Sequence, residues 1–290
     1  SIAQGNKNEI KIKKEIHFPH SVGLLYTSFT YYLGFKVNSG EYKVMGLAPY
    51  GKPIYYEKIK EFILDLKDDG SFVVDQSFFK YATGLKMISE KFEKLFGKKT
   101  RLPSEKIEQF HMDIAASVQK ITEKIVIKIC QNIYAEQKKD NLCLSGGVAL
   151  NCVANGKILQ NTSFKNLWIQ PASGDAGGAL GAALAYWHIG LNKERIINPN
   201  DSMKGSYLGT EYSEKEIENQ LNKCNAIYKK LENKQILKLV AKNLDESKCI
   251  GWYQGKMEFG PRALGNRSIL ADPRGKDMQE KLNLKIKFRE

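Results

Sequence analysis

The sequence reads Leu142-Cys-Leu-Ser-Gly-Gly-Val-Ala-Leu-Asn151 and then Leu167-Trp-Ile-Gln-Pro-Ala-Ser-Gly-Asp-Ala-Gly-Gly-Ala-Leu-Gly-Ala-Ala183. Each segment starts as a short apolar strand, turns at glycines and continues as a helix, which we predict over about 148–160 and about 176–189. Two such units in succession predict neighbouring strands in one sheet of an α/β fold. Because open α/β sheets bind ligands beyond the carboxyl ends of their strands, we expect both glycine turns at that edge.

The glycines of the first turn suit a phosphate group. Gly146 and Gly147 let backbone N–H groups approach a ligand without a Cβ in the way, and the following helix N-terminus adds favourable partial charge. Tight strand-to-helix turns use glycine in any case, so this pair alone leaves nucleotide binding and simple chain reversal both open. In the second turn, Asp175 suits a metal ligand, a partner of Mg-bound phosphate or an N-cap.

A third glycine-rich motif, Ser39-Gly-Glu-Tyr-Lys-Val-Met-Gly-Leu-Ala-Pro-Tyr-Gly51, lies earlier in the chain. We predict a loop that can place Glu41 on a ribose hydroxyl and Lys43 near a phosphate or carbonyl oxygen. A rigid turn with a packed Tyr50 is the structural alternative.

The fourth motif is Gly255-Lys-Met-Glu-Phe-Gly-Pro-Arg-Ala-Leu-Gly-Asn-Arg-Ser-Ile-Leu-Ala-Asp-Pro-Arg274, with Lys287 further on. Glycines and prolines around Arg262, Arg267 and Arg274 restrict the backbone, and planar guanidinium groups suit phosphate oxygens. A surface salt bridge is the alternative for any single arginine.

Apolar spacing and turn residues predict the elements around these motifs. We expect a polar linker at Asn192–Lys204, where we place the boundary between two domains. The other predicted elements are a helix through Val22, Tyr26, Phe29 and Leu33, a strand at 71–74, a long helix from an N-cap at Ser104 to near Gln137, helices at 213–223 and 234–246, and a strand at 249–253.

Composition narrows the class of protein. A chain of 290 residues with 42% hydrophobic residues can form packed domains, and its net charge of +13 suits anionic partners or serves solubility alone. The sequence has no stripe of basic residues interleaved with aromatics, which is the pattern that would predict a nucleic-acid-binding groove. The five cysteines form no C-x-x-C pair, and no segment is long and apolar enough to span a membrane or serve as a signal peptide. We therefore expect a cytoplasmic protein with no nucleic-acid or membrane partner.

Together with His17-Phe-Pro-His-Ser21, the four motifs resemble the O-carbamoyltransferase family of nodulation protein U and cephamycin carbamoyltransferase. The string Phe259-Gly-Pro-Arg-Ala-Leu-Gly-Asn-Arg-Ser-Ile-Leu270 is highly specific for that family. The resemblance implies that residues 1–198 form the second lobe of an actin-like (ASKHA, Kae-like) domain. It also implies that residues 199–290 are a linker and the beginning of a YrdC-like α/β domain.

The resemblance further implies ATP-dependent transfer of a carbamoyl group from carbamoyl phosphate, through carbamoyl-adenylate, to an acceptor hydroxyl on a sugar or natural product. It implies nucleotide-binding roles for Glu41, Gly46, Gly146, Gly147, Asn151, Arg262, Arg267 and Lys287. Lys43, Arg262 and Lys287 are the implied catalytic residues. Asp175 falls where the family has a metal-binding aspartate, which implies Fe or a similar divalent metal there, or Mg with the nucleotide. A homodimer is a candidate assembly.

The same resemblance predicts that the first lobe, with a pair of metal-binding histidines, precedes Ser1 and that most of the YrdC-like domain follows Glu290. We therefore expect the chain alone to be inactive. A tRNA threonylcarbamoyl-transfer protein, an actin-like sugar kinase and a non-enzymatic basic binding module are the alternatives. The shared motifs do not encode the acceptor.

Overall fold

A computed structural model of the protein describes residues 1–282, and these divide into two compact units, Ser1–Arg195 and a second unit that begins at Ile196. The division falls in the polar stretch that the sequence predicts to be a linker. The identity of the units as a Kae-like lobe and the start of a YrdC-like domain stays a prediction.

The first unit is a mixed α/β structure. Its strands are β1 (Ile2–Asn6), β2 (Glu9–Lys14), β3 (Leu64–Leu66), β4 (Phe72–Val74), β5 (Asn141–Leu144) and β6 (Asn166–Ile169). Its helices are α1 (Val22–Tyr32), α2 (Glu41–Leu47), α3 (Tyr56–Phe62), α4 (Glu90–Phe96), α5 (Gln109–Gln137), α6 (Cys152–Asn161) and α7 (Ala176–Ala185).

The second unit is described as far as residue 282. Its elements are helices α8 (Glu214–Lys223), α9 (Asn233–Asp245) and α10 (Met278–Lys281) and strands β7 (Ile250–Tyr253) and β8 (Arg267–Leu270). The predicted helices after the linker and the strand before the arginine motif are therefore confirmed to within a residue or two.

Within residues 1–282, the strands form separate pairs: β1–β2, β3–β4 and β7–β8 are antiparallel, and β5–β6 is parallel. The parallel pair confirms that the two strand-turn-helix segments are neighbours in one sheet.

Helix α5 organises the core of the first unit. Its apolar stripe at Ile114, Val118, Ile121 and Ile125 is fully buried, as the predicted helical spacing requires. The stripe shares a cluster with aromatic rings of α1 and α4; Phe29 and Phe92 lie 5.0 Å apart, centroid to centroid.

The start of α5 differs from the prediction. The N-cap is Glu108 rather than Ser104, because Glu108 and His111 form a capping box in which the Glu108 backbone N–H donates to His111 Nδ1 over 2.9 Å. The residues around Ser104 form a separate turn in which Leu102 N donates to Glu105 Oε2 over 2.8 Å. The predicted end of the helix at Gln137 is confirmed.

The third glycine-rich motif is helical, so the prediction of a loop was wrong. Glu41 begins α2 and a 3-10 turn, Ala48–Tyr50, follows it. Val44 and Leu47, one turn apart, are buried and hold this helix on the core. The alternative of a packed Tyr50 was also wrong, since that side chain is 49% exposed.

No helix among the described residues has the length and apolarity that crossing a membrane requires.

Candidate functional site

The two glycine turns meet at one edge of the parallel pair. Leu144 of β5 and Ile169 of β6 are register partners, so both strands end at the same level. Beyond them, the Gly146 N–H donates to the Ser173 carbonyl oxygen over 2.7 Å and joins the two turns directly. The predicted placement of both turns at the carboxyl edge is confirmed.

Glycine is required at the first position of this turn. Gly146 has φ +98°, in the region that residues with a Cβ rarely adopt, and Gly147 begins a 3-10 turn that runs to Leu150. Both glycines are exposed. The turn therefore offers accessible backbone just before α6.

Asn151 holds this turn to the core of the protein. Its Oδ1 accepts from Ala154 N and caps α6, and it also accepts from Gln119 Nε2 at 3.1 Å. Its Nδ2 donates to Gln119 Oε1 over 3.0 Å, so the two amides bond reciprocally. These bonds leave one N–H of the buried Asn151 amide, and a direct contact with nucleotide stays a prediction.

A buried polar network continues from Asn151 into the core. Gln119 also accepts from the Tyr26 hydroxyl over 3.0 Å and donates to Glu123, which is paired with Lys157. Burial, with the charge of Glu123 nearby, raises the pKa of Tyr26, so its hydroxyl remains a donor. Hydrogen bonds thus connect the first glycine turn to both α1 and α5.

Asp175 occupies the N-cap position of α7 without acting as a side-chain cap. Its carboxylate is exposed and makes no hydrogen bond or ion pair with any part of the chain that is described. Nearby, the Ser173 hydroxyl is buried and has no hydrogen-bond partner among the described residues. Residues 1–282 contain no group of three or more His, Cys, Asp or Glu arranged to hold a metal, so they provide no such cluster around Asp175.

Glu41 and Lys43 lie on α2, and their side chains contact residues close to this helix. The Glu41 carboxylate accepts from Thr27 Oγ1 over 3.0 Å and from Asn38 N over 2.8 Å. The Lys43 ammonium lies 5.7 Å from the ring centroid of Phe35.

Helix α2 contacts the start of α6, where Met45 Sδ and Cys152 Sγ are 3.8 Å apart. The third motif and the first glycine turn are therefore neighbours. Gly46 lies inside α2 rather than in a loop, and it is exposed.

In the second unit, Arg262 lies on the loop that joins β7 to β8; we call residues 254–266 the arginine loop. Arg262 is half-buried, whereas Arg267, the first residue of β8, is exposed. Arg274 forms ion pairs with Asp245 and Asp272, so the surface salt-bridge alternative is correct for that arginine. Lys287 lies outside the described residues.

Glu258 fixes the arginine loop from within. One oxygen, Oε1, accepts from three backbone N–H groups: those of Leu264 at 2.9 Å, Asn266 at 2.8 Å and Arg267 at 3.1 Å. Burial raises the pKa of this carboxyl, but the backbone donors outweigh burial and lower it to about 2.

Two family models match the chain: "Carbamoyltransferase N-terminus" over residues 1–184 and "Carbamoyltransferase C-terminus" over residues 241–290. The chain belongs to the carbamoyltransferase family. The second match includes the arginine loop, and the first includes both glycine turns and the α2 motif.

Curated relatives agree with this assignment. An uncharacterized protein of Synechocystis sp. is 53% identical over 100% of this chain and 48% of its own length. Nodulation protein NolNO of Sinorhizobium fredii is 35% identical over 100% of this chain and 40% of its own length. The 3'-hydroxymethylcephem-O-carbamoyltransferase of Amycolatopsis lactamdurans is 29% identical over 63% of this chain and 32% of its own length. The chain thus spans about half or less of the length of these relatives.

Two residues that support the candidate site were not recognised in the sequence. Gln119 is a buried polar residue of α5, and its spacing from Glu123, one turn away, was the available signal. Glu258 is an acid within an arginine-rich motif. One physical role for such an acid is to accept hydrogen bonds from backbone N–H groups of the same motif.

The pKa of Glu258 predicts how acid affects the stability of the chain. Because the folded pKa of about 2 lies below the unfolded value of about 4.3, ionised Glu258 stabilises the fold above pH ~4.3, and the contribution is lost as the pH falls toward 2. We expect the difference in unfolding free energy between wild type and Glu258→Gln to be largest near neutral pH and to shrink below pH ~4.3. Urea unfolding at a series of pH values measures this difference.

Glu211→Gln is the matched control for that titration. Glu211 is exposed and has no side-chain hydrogen bond or ion pair within residues 1–282. Its substitution should change stability little at any pH. A Glu258→Gln difference that does not vary with pH would contradict the assignment of an ionised carboxylate.

Proposed function

We propose that the longer protein to which this chain belongs is an ATP-dependent O-carbamoyltransferase. It moves the carbamoyl group of carbamoyl phosphate, through carbamoyl-adenylate, to the hydroxyl of a sugar or natural product. Phosphate leaves carbamoyl phosphate and pyrophosphate leaves ATP, with the uptake of one water, as the adenylate forms; AMP leaves when the hydroxyl takes the carbamoyl group. The observation that carries this proposal is the match to carbamoyltransferase models on both sides of the linker, over residues 1–184 and 241–290. A relative named as a cephem O-carbamoyltransferase supports a hydroxyl acceptor.

The first glycine turn is the proposed phosphate contact of the nucleotide in the first unit. Gly146 and Gly147 are exposed, and Gly147 begins the 3-10 turn that leads to α6, so backbone N–H groups after Gly146 and the helix N-terminus favour an anion. The Gly146 N–H itself is bonded to the Ser173 carbonyl oxygen. Asn151 then acts mainly by keeping the turn in place, through its bonds to Gln119. Glu41, Lys43 and Gly46 would lie toward the ribose and phosphates, and the contact between α2 and α6 supports that arrangement.

The arginine loop is the proposed site for the phosphate-bearing substrates in the second unit. Formation of an adenylate concentrates negative charge on phosphate oxygens, and guanidinium groups neutralise it with directional hydrogen bonds. Arg262 and Arg267 fill this role in the proposal, and Lys287 is included with them. Arg274 is excluded because its guanidinium is committed to Asp245 and Asp272.

Asp175 is proposed as one ligand of a divalent metal in the longer protein. A bound metal would supply a Lewis acid near the developing oxyanion. The described residues contain no group of three or more His, Cys, Asp or Glu that could hold a metal, so they do not by themselves fit such an ion. No step of the mechanism is therefore assigned through it.

The proposal is tested with the longer protein, ATP and carbamoyl phosphate labelled in its carbonyl carbon, against a panel of sugars and natural-product alcohols. We expect label in the acceptor and pyrophosphate release that require both ATP and carbamoyl phosphate. Phosphorylation of a sugar without carbamoyl phosphate would identify a sugar kinase instead. Modification of tRNA with no activity on small alcohols would favour a threonylcarbamoyl-transfer protein.

A further inference from the structure

The carboxylate of Glu258 is enclosed at the base of the arginine loop. The residue is 7% exposed although its neighbours in the motif are largely on the surface. Its Oε1 accepts three backbone N–H bonds, from residues six, eight and nine positions further along the chain. A carboxylate with this many backbone donors is held in one place by charge-assisted bonds, which are stronger than neutral ones.

These bonds close the loop on both sides of Arg262. Glu258 lies before Arg262, and its donors Leu264, Asn266 and Arg267 lie after it. Gly265, with φ +111°, allows the backbone bend between the donors. The carboxylate therefore fixes the two ends of the short segment that carries Arg262.

A second set of bonds anchors the closed loop to residues before α8. The Phe259 N–H donates to the Ser206 carbonyl oxygen, and the Ser206 hydroxyl donates to the Phe259 carbonyl oxygen, each over 2.7 Å. The Tyr207 hydroxyl donates to the Leu264 carbonyl oxygen over 2.8 Å. Glu258 thus closes a loop whose base is already attached to the second unit.

We propose that Glu258 is a positioning residue that holds the arginine loop in the conformation that presents Arg262 to a phosphate-bearing substrate. It acts through Arg262 and not by contact with substrate, because its Oε1 is occupied by three donors and the side chain is buried. A loop fixed before binding loses little conformational freedom when the anion arrives. This inference rests on the proposed function and deepens it.

The test uses the longer protein with Glu258→Gln, Arg262→Ala, the double variant and Glu211→Gln as control. An amide still accepts hydrogen bonds but without charge, so the loop should be less firmly held in Glu258→Gln. We expect the KM for carbamoyl phosphate to rise roughly tenfold while the KM for the hydroxyl acceptor stays within about twofold. Glu211→Gln should match the wild type in both.

The double variant decides whether Glu258 acts through Arg262. If it does, adding Glu258→Gln to Arg262→Ala should change the KM for carbamoyl phosphate by less than about twofold. Independent effects that multiply in the double variant would overturn the proposal. A rise in both KM values, together with a lower unfolding midpoint, would also overturn it, since that result indicates general loss of structure.

A second variant covers the case in which Glu258→Gln does not fold. Glu258→Asp keeps the charge and shortens the side chain by one methylene, so it should retain the fold and still raise the KM for carbamoyl phosphate selectively. A wild-type KM in the folded Asp variant would contradict the positioning role. The proposed function fails separately: the wild-type longer protein would then transfer no label from carbamoyl phosphate to any acceptor, so that no KM for carbamoyl phosphate could be measured with any variant.

Discussion

Replacing Arg262 with alanine in the longer protein should lower turnover by roughly tenfold to a few hundredfold. A hydrogen bond to a charged group typically contributes ~1.5–3 kcal/mol, and the loss is greater where the contact strengthens in the transition state. Each ~1.4 kcal/mol corresponds to a factor of ten in rate. The fixed arginine loop increases the effect, because little reordering of the backbone can compensate for the lost side chain. The rate of adenylate formation is measured as the release of pyrophosphate.

Two further variants separate phosphate binding from other roles of Arg262. Arg262→Lys should recover activity only in part, because an ammonium keeps the charge but cannot form the planar bidentate contact. Arg274→Ala is the matched control, since that arginine lies in the same motif and forms ion pairs with Asp245 and Asp272 on the surface. If Arg262→Ala retains both normal adenylate formation and normal thermal stability, the phosphate-binding role is wrong.

The second large effect is expected at Gly51, where alanine should destabilise the first unit by about 3 kcal/mol or more. A Cβ at this position would lie 2.0 Å from the Met112 carbonyl oxygen and 2.2 Å from the Met112 carbonyl carbon, in the first turn of α5. Overpacking commonly costs ~1–3 kcal/mol, and here the obstacle is backbone that cannot rotate away. The next residue is also bonded to α5, since Lys52 N donates to Asp113 Oδ1 over 2.7 Å. The midpoint of urea unfolding measures the loss.

Gly46→Ala is the control for this prediction within the same motif. Gly46 lies in α2, and a Cβ there would meet no other atom within 4 Å. Alanine should therefore leave stability unchanged or raise it by up to ~1 kcal/mol, as in other helix interiors. Equal destabilisation by the two substitutions would contradict the packing seen around Gly51. A change in ATP binding with normal stability in Gly46→Ala would support the proposed nucleotide contact.

Patterns that are local in sequence predicted much of the fold. The turns after β5 and β6 followed from short apolar runs and glycines, and the parallel pairing followed from their order. The apolar spacing along α5 predicted which face of this helix is buried and that the helix ends near Gln137. Each of these patterns is formed by residues within a few positions of one another.

Features that depend on distant residues were not predicted. The motif from Ser39 to Gly51 became helical because Val44 and Leu47 are buried in the core, a tertiary effect that glycine content obscured. The partner of Asn151 is Gln119, 32 positions away, and no sequence pattern connects the two. Glu258 receives its donors only after the arginine loop has folded back. The candidate site was therefore predicted as a set of motifs but not as a set of contacts.

The reciprocal bonds between Gln119 and Asn151 have a consequence for the response of the protein to ionic strength. Both side chains are neutral amides, and they are buried, so dissolved ions do not screen the attachment of the first glycine turn to α5. Attraction between exposed guanidinium groups and a phosphate is screened strongly in the same solutions. Added salt should thus weaken capture of anionic substrate while the turn keeps its place.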